Sequence, residues 1–302
     1  MSKWTTADIP DLSERVAVVT GASAGLGLET ARALAAHGAT VVLACRDTAK
    51  GETAARTLSG TKTRVVELDL ASLTSVRKAA DIIGSTCPRL DLLVNNAGVM
   101  QVPFQRTEDG FELTFGINHL GHFALTGLLL PHLLRTSGSR VVTVTSNAHR
   151  RGDLDAEGEY EPGTAYDRSK LANLLFAYEL HRRLQACGST TASLAAHPGN
   201  ARTGLWATSS RLERMLIGSY LRPITFWLVQ SARRGALPQL RAATDRSARS
   251  GECYGPDGWF QYAGSPVQVR TSPDSYDQDA GSRLWEHSEQ LTGVRYSFPE
   301  AR

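Results

Sequence analysis

The stretch from Arg15 to Gly38 limits the possible fold more than any other part of the chain. Arg15-Val16-Ala17-Val18-Val19-Thr20 is a short, apolar, β-branched run that predicts a buried strand. Gly21-Ala22-Ser23-Ala24-Gly25-Leu26-Gly27 follows at once. From Leu28 the apolar residues recur at three- and four-residue spacing up to Gly38, a helix pattern with a glycine stop. Strand, glycine loop and helix together suit the pyrophosphate of a dinucleotide. The glycines let the backbone turn tightly and approach phosphate, and the helix N-terminus offers unpaired N–H groups and a favourable dipole. The spacing, Gly-x-x-x-Gly-x-Gly, is one residue off the common Gly-x-Gly-x-x-Gly.

The same alternation continues. Thr40–Cys45, Arg64–Leu68, Asp91–Val94, Ser139–Thr145 and Thr191–Ala196 read as further strands, with helical segments between them. That order predicts an α/β fold: a doubly wound parallel sheet of the Rossmann type, three layers thick, in a single domain spanning residues 1–302. Ligands of such sheets bind beyond the carboxyl ends of the strands. After residue 250 the chain is rich in Gly, Pro, Ser and Asp, and is expected to form loops with a short final strand near Cys253-Tyr254.

The end of the second strand bears on the nucleotide. An NAD enzyme usually places Asp or Glu there for the ribose hydroxyls. This chain has Cys45 and then Arg46, whose guanidinium suits a 2′-phosphate. NADP is therefore expected over NAD, although Asp47 could neutralise Arg46.

Tyr166 and Lys170 are four residues apart, on one face of an expected helix. A cation beside a phenol favours the phenolate and is expected to lower the tyrosine pKa from about 10, toward the range useful for general acid/base catalysis. Taken alone, the spacing is common and equally fits a half-buried tyrosine with a solvated lysine.

Composition excludes other classes. A net charge of +3 over 302 residues is too small to imply nucleic acid or an anionic membrane as partner. The four cysteines, Cys45, Cys87, Cys187 and Cys253, are far apart and read as reduced, mostly buried thiols. No metal is expected: His119 and His122 are three apart on a helix, but no third ligand stands at a matching spacing, so they read as packing residues. Met1 to Glu14 is polar, with no signal-peptide pattern. The longest apolar run, Phe123 to Leu134, is broken by Pro131 and His132 and falls short of the roughly 18 residues of a membrane span. A cytoplasmic enzyme is expected, as a homodimer or homotetramer.

Taken together, the motifs resemble the short-chain dehydrogenase/reductase superfamily, and within it the retinol dehydrogenase and WW-domain oxidoreductase branch. The family's cofactor loop appears as Thr20 to Gly27. Its adenine-side acid appears as Asp69, in Leu68-Asp69-Leu70, and its Asn-Asn-Ala-Gly element as Asn95-Asn96-Ala97-Gly98. The helix asparagine matches Asn118, the catalytic serine Ser146, and the catalytic pair Tyr166 and Lys170. The Pro-Gly element matches Pro198-Gly199, with Thr203 beyond. Branch-specific echoes are Ala44-Cys45-Arg46-Asp47, His197-Pro198-Gly199 and Tyr254-Gly255-Pro256-Asp257-Gly258. Two positions depart from the pattern: Ala24 stands where many NADP-using relatives carry a basic residue, and Asn200-Ala201-Arg202-Thr203 replaces Val-Arg-Thr.

The resemblance implies carbonyl–alcohol interconversion by hydride transfer. Asn118, Ser146, Tyr166 and Lys170 are its expected catalytic residues. The expected cofactor contacts are Gly21, Ser23, Gly25, Leu26, Gly27, Arg46, Asp69, Leu70, Asn96, Ala97, Gly98, Tyr166, Lys170, Pro198, Gly199 and Thr203. Ser146 would hydrogen-bond the substrate oxygen; its alternative is a helix N-cap. Tyr166 would exchange the proton. By the same resemblance Lys170 would hold the nicotinamide ribose, and Asn118 would kink its helix and hold a water. Asn118 otherwise reads as a mid-helix asparagine bonding a neighbouring backbone carbonyl. The substrate is expected between residues 147–164, with Asp153, Asp155, Glu157 and Glu159, and an apolar lid at about 204–230 with Trp206, Met215, Phe226 and Trp227. The lid suggests a lipophilic substrate, but equally fits an oligomer contact or, as a minor alternative, shallow membrane contact. Two other functions are an epimerase or dehydratase, and an NADP-binding redox sensor or interaction protein without turnover.

Overall fold

The structure is a computed structural model that describes residues 3–58, 62–155, 158–200 and 230–299. The expected lid residues Trp206, Met215, Phe226 and Trp227, together with Thr203 and Glu157, lie outside the described residues.

Eight strands form one sheet: β1 (Val16–Thr20), β2 (Thr40–Cys45), β3 (Thr63–Glu67), β4 (Leu92–Asn95), β5 (Arg140–Val144), β6 (Ala192–Ala196), β7 (Cys253–Pro256) and β8 (Pro266–Gln268). Their order is β3-β2-β1-β4-β5-β6-β7-β8. The first seven are parallel, and β8 is added antiparallel to β7 at the edge. The winding reverses between β1 and β4, so the crevice at their carboxyl ends is the switch point where such sheets bind ligands.

The three layers follow from alternation along the strands. Val18, Val42, Ala44, Val66, Leu93 and Val141 face one side. There they meet α3 (Leu73–Thr86), α4 (Leu113–Arg135) and α5 (Pro162–Ala186). Ala17, Val19, Val41, Leu43, Val94, Val142 and Leu194 face the other side. They pack on α1 (Gly25–Ala36), α2 (Thr48–Ala55) and α6 (Leu237–Thr244). The strands β1, β2, β4, β5 and β6 are buried on both faces, which is why they read as largely apolar runs.

Two features depart from the expectation. The chain after residue 250 is not all loop: α7 (Gln278–Thr292) is capped by Asp277, whose side chain accepts from Ala280 N, and is stopped by Gly293 at φ 63°. Trp285 on α7 is 2 % exposed and sits among Phe123, Phe176 and Tyr296. The helix is mostly polar, so composition hid it. Second, α4 is continuous through Pro131, with a wider π turn at Gly116–Leu120 centred on Asn118. By length and composition α4 could cross a membrane, but 83 % of its apolar window is buried within the fold, as in a core helix.

Candidate active site

A cavity of about 490 Å³ opens at the switch point. Gly21, Ser23, Gly25, Leu26, Gly27, Arg46, Asp69, Leu70, Asn96, Ala97 and Gly98 all line it. The sequence therefore placed eleven expected cofactor residues on one wall. Its glycines are needed where they stand. Gly21 has φ 67°, and a Cβ there would sit 3.0 Å from Ala97 Cβ. A Cβ on Gly27 would overlap the Gly21 carbonyl oxygen. The N-cap of α1 is Ala24, whose side chain makes no cap. The first N–H groups of the helix are left to face an anion. The cradle fits a dinucleotide diphosphate.

Thr20 clamps the two halves of this cradle. Its Oγ1 accepts from Asn96 N and Ala97 N, both at 2.9 Å, and Asn96 Nδ2 returns a bond to Thr20 O at 2.8 Å. Gln239, from α6, donates to Asn96 Oδ1 at 3.1 Å. Asn96 thus shapes the cavity wall by tying strands together.

At the ribose end, Cys45 is buried, and its thiol lies where a Cβ on Gly51 would come within 2.5 Å. Burial pushes the thiol up, so it is no anion for ribose hydroxyls. Asp47 does not neutralise Arg46. It caps α2, accepting from Lys50 N at 3.0 Å, and pairs with Lys50 Nζ at 3.0 Å. Among the described residues, Arg46 is exposed and in no ion pair. Lys50 also lines the cavity. Sequence reasoning missed this second cation, although its place one turn into the helix after Arg46 was a readable signal.

The four expected catalytic residues converge beside the cavity. Ser146 ends the segment after β5 and caps a 3-10 turn, accepting from Ala148 N at 3.3 Å, so its N-cap role is present as well. Its hydroxyl is near enough to the Tyr166 phenol to favour the phenolate. Lys170 Nζ lies 5.5 Å from the Tyr166 ring centroid and donates to Val144 O at 3.4 Å. Asn118 holds the loop after β4: Oδ1 accepts from Val99 N at 2.8 Å, and Nδ2 donates to Val99 O at 3.0 Å and Ser169 Oγ at 2.9 Å. Among the described residues the side chain bonds no neighbouring helix carbonyl; it reaches Val99 and Ser169 on other segments.

One electrostatic expectation is corrected. Burial pushes the Tyr166 phenol up to about 12, although the Ser146 hydrogen bond pulls the other way. Burial also lowers Lys170 to about 8. Lys170 is buried and Tyr166 partly so, and loss of water disfavours the charged form of each. At neutral pH the phenol is protonated, a proton donor.

Pro198 and Gly199 follow β6. Gly199 has φ 61°, and a Cβ there would overlap Tyr262 O. Asp153, Asp155 and Glu159 line a separate outer cavity of about 990 Å³, with Leu284 and His287 of α7, and not the wall that carries the cradle.

The histidines are structural. His119 bonds Ser288 Oγ at 2.8 Å, while His122 bridges Thr20 Oγ1 (2.9 Å) and the Asn118 carbonyl (3.1 Å), so the pair serves two places. Among the described residues no group of three His, Cys, Asp or Glu could hold a metal. Burial lowers His119 and His197 to about 3, and His122 and His149 to about 4. As pH falls below 6.5, the unfolded chain binds protons that these rings refuse in the fold. Stability is then lost from about pH 6.5 down to 3–4, at roughly 1.4 kcal/mol per pH unit per ring. Urea midpoints measured from pH 7 to 4 should fall steeply; a flat series contradicts the neutral buried rings.

The chain is similar to known proteins over most of its length. The family model for short chain dehydrogenase matches residues 15–213. Human retinol dehydrogenase 13 is 40% identical over 292 residues, covering 93% of this chain and 85% of that protein. The crystal structure of an uncharacterized protein from Mycobacterium paratuberculosis is 43% identical, with a TM-score of 0.81, covering 98% of this chain and 100% of that one. RhlG of Pseudomonas aeruginosa, in an active-site complex with NADP, is 26% identical with a TM-score of 0.67, covering 83% and 98%.

Proposed function

This chain belongs to the short-chain dehydrogenase family, and from that premise we propose that it is an NADP-dependent oxidoreductase interconverting a carbonyl and an alcohol on a lipophilic substrate. One observation carries the reading. Gly98 lines the nucleotide cavity, and a Cβ there would sit 3.1 Å from Asn118 Oδ1 and 3.5 Å from Lys170 Nζ. Cradle and catalytic residues thus share one wall, closed by a residue with no side chain.

The nicotinamide, when bound, supplies or accepts the hydride. The chain does the rest. Gly21, Gly25, Leu26 and Gly27 would hold the diphosphate, with Asp69 and Leu70 toward the adenine. Ser146 donates a hydrogen bond to the substrate oxygen and stabilises the charge that grows there. Tyr166, protonated at neutral pH, delivers its proton to the same oxygen. Lys170 provides positive charge beside the phenol and, as in the family, a ribose contact. Asn118 fixes the loop at Val99, and so the distance between the two halves. The NADP complex of RhlG and the names of the retinol dehydrogenases support the cofactor and the apolar substrate.

Arg46 and Lys50 make the preference for NADP testable. Charge-assisted hydrogen bonds are worth about 1.5–3 kcal/mol. R46A should raise the KM for NADPH by roughly 10- to 100-fold and leave that for NADH near its original value, with K50A smaller in the same direction. Steady-state kinetics with both nucleotides on a panel of apolar aldehydes and ketones decides it. Equal use of NADH by the native enzyme would sink the assignment.

A further inference from the structure

Two large aromatic side chains are left out of the core at a place where the backbone is strained. Trp259 is 76% exposed and Phe260 65%, with ring centroids 4.5 Å apart. Phe260 has φ 46° and Gln261 φ 58°, two consecutive left-handed residues without a glycine. Such a conformation persists only where surrounding contacts hold it. The contacts that hold it come from the catalytic segments. Asn147, next to Ser146, donates from Nδ2 to Phe260 O (3.1 Å) and Gln261 O (3.2 Å). Gln261 Oε1 accepts from His197 Nε2 at 3.0 Å, and Asn200 N donates to Tyr262 O at 2.7 Å. The loop also closes on itself through Gly258 N to Ala263 O at 3.1 Å. It is a rigid element fastened between Ser146-Asn147 and His197–Asn200.

We propose that Trp259 and Phe260 form an aromatic lip on the substrate side of the site and grip the apolar body of the substrate beyond its reacting carbon. The occupant follows from continuity. The residues that fasten the loop are the chain neighbours of Ser146 and of Pro198-Gly199, which puts the lip within reach of a long molecule bonded to Ser146. Aromatic faces beside a polar reaction centre suit an aliphatic or polyene chain. This rests on the oxidoreductase reading above and names the part of the substrate recognised there.

The test is a chain-length series. Native enzyme and W259A/F260A are compared with NADPH on aldehydes from butanal to decanal. Both residues are exposed, so the fold should survive. In the variant kcat/KM should fall about tenfold or more for decanal, through KM, and stay within twofold for butanal. A second readout stands apart from turnover: calorimetric binding of 1-decanol to the NADPH complex, which cannot react, should weaken about tenfold in the variant. Equal loss at every chain length, or unchanged decanol binding, overturns the lip. So does an intact chain-length dependence with altered self-association or vesicle binding, which assigns the aromatics to a second copy or a lipid surface. If neither protein reduces any aldehyde, the oxidoreductase reading fails, and decanol binding still decides the lip.

Discussion

Replacing Tyr166 with phenylalanine should lower carbonyl reduction by roughly 10²- to 10⁴-fold, the range removed with a general acid. The ring stays, and with it the packing over Lys170, whose nitrogen is 5.5 Å from the centroid. Only the hydroxyl near Ser146 is lost. NADPH affinity should therefore change by less than about threefold, because the cradle lies on glycine backbone and not on the phenol. The defect should appear in kcat, as for an interaction made mainly in the transition state. A variant with native turnover, or one that fails through loss of NADPH binding, would remove Tyr166 from the chemistry.

The second large effect is on stability. Trp285→Ala should cost about 3–5 kcal/mol, as large-to-small aromatic changes in cores do. The indole is 2 % exposed, with ring centroids 4.4 Å from Tyr296, 5.2 Å from Phe123 and 5.8 Å from Phe176, and the Arg183 guanidinium 4.5 Å away on one face. Its neighbours lie on α4, α5 and the C-terminal segment, so the cavity would loosen α7 against the helices that carry Asn118 and Tyr166. Urea unfolding gives the number; a loss below about 1 kcal/mol would contradict the cluster.

What could be read from the chain depended on periodicity and spacing. Strands β1, β2, β4, β5 and β6 were legible because each is buried on both faces and reads as a largely apolar run, and β3, at the sheet edge, because its Val65-Val66 pair keeps β-branched character. The cradle was legible because turning tightly against phosphate admits few residue types, and Gly21 and Gly27 confirm this sterically. Helix α7 was not legible: its buried residues Gly281, Leu284, Trp285, Ser288 and Thr292 share one face, but only Leu284 and Trp285 are large and apolar. Strand β8 is three residues long and is defined only by its pairing with β7. The direction of the Tyr166 pKa was misjudged for a different reason. Spacing reveals a neighbouring cation, but desolvation depends on what else covers the pair. Lys50 went unread although its place one helical turn after Arg46 was a signal; both side chains line the cavity.

Deuterium transfer tests the proposal most directly. Native enzyme, supplied with NADPH deuterated at the reactive nicotinamide carbon and with decanal, should yield 1-decanol carrying one deuterium on its carbinol carbon, with Y166F forming it at least a hundredfold more slowly. Product without deuterium, or equal rates in the two proteins, would mean that this cradle and this phenol do not serve the reaction assigned to them.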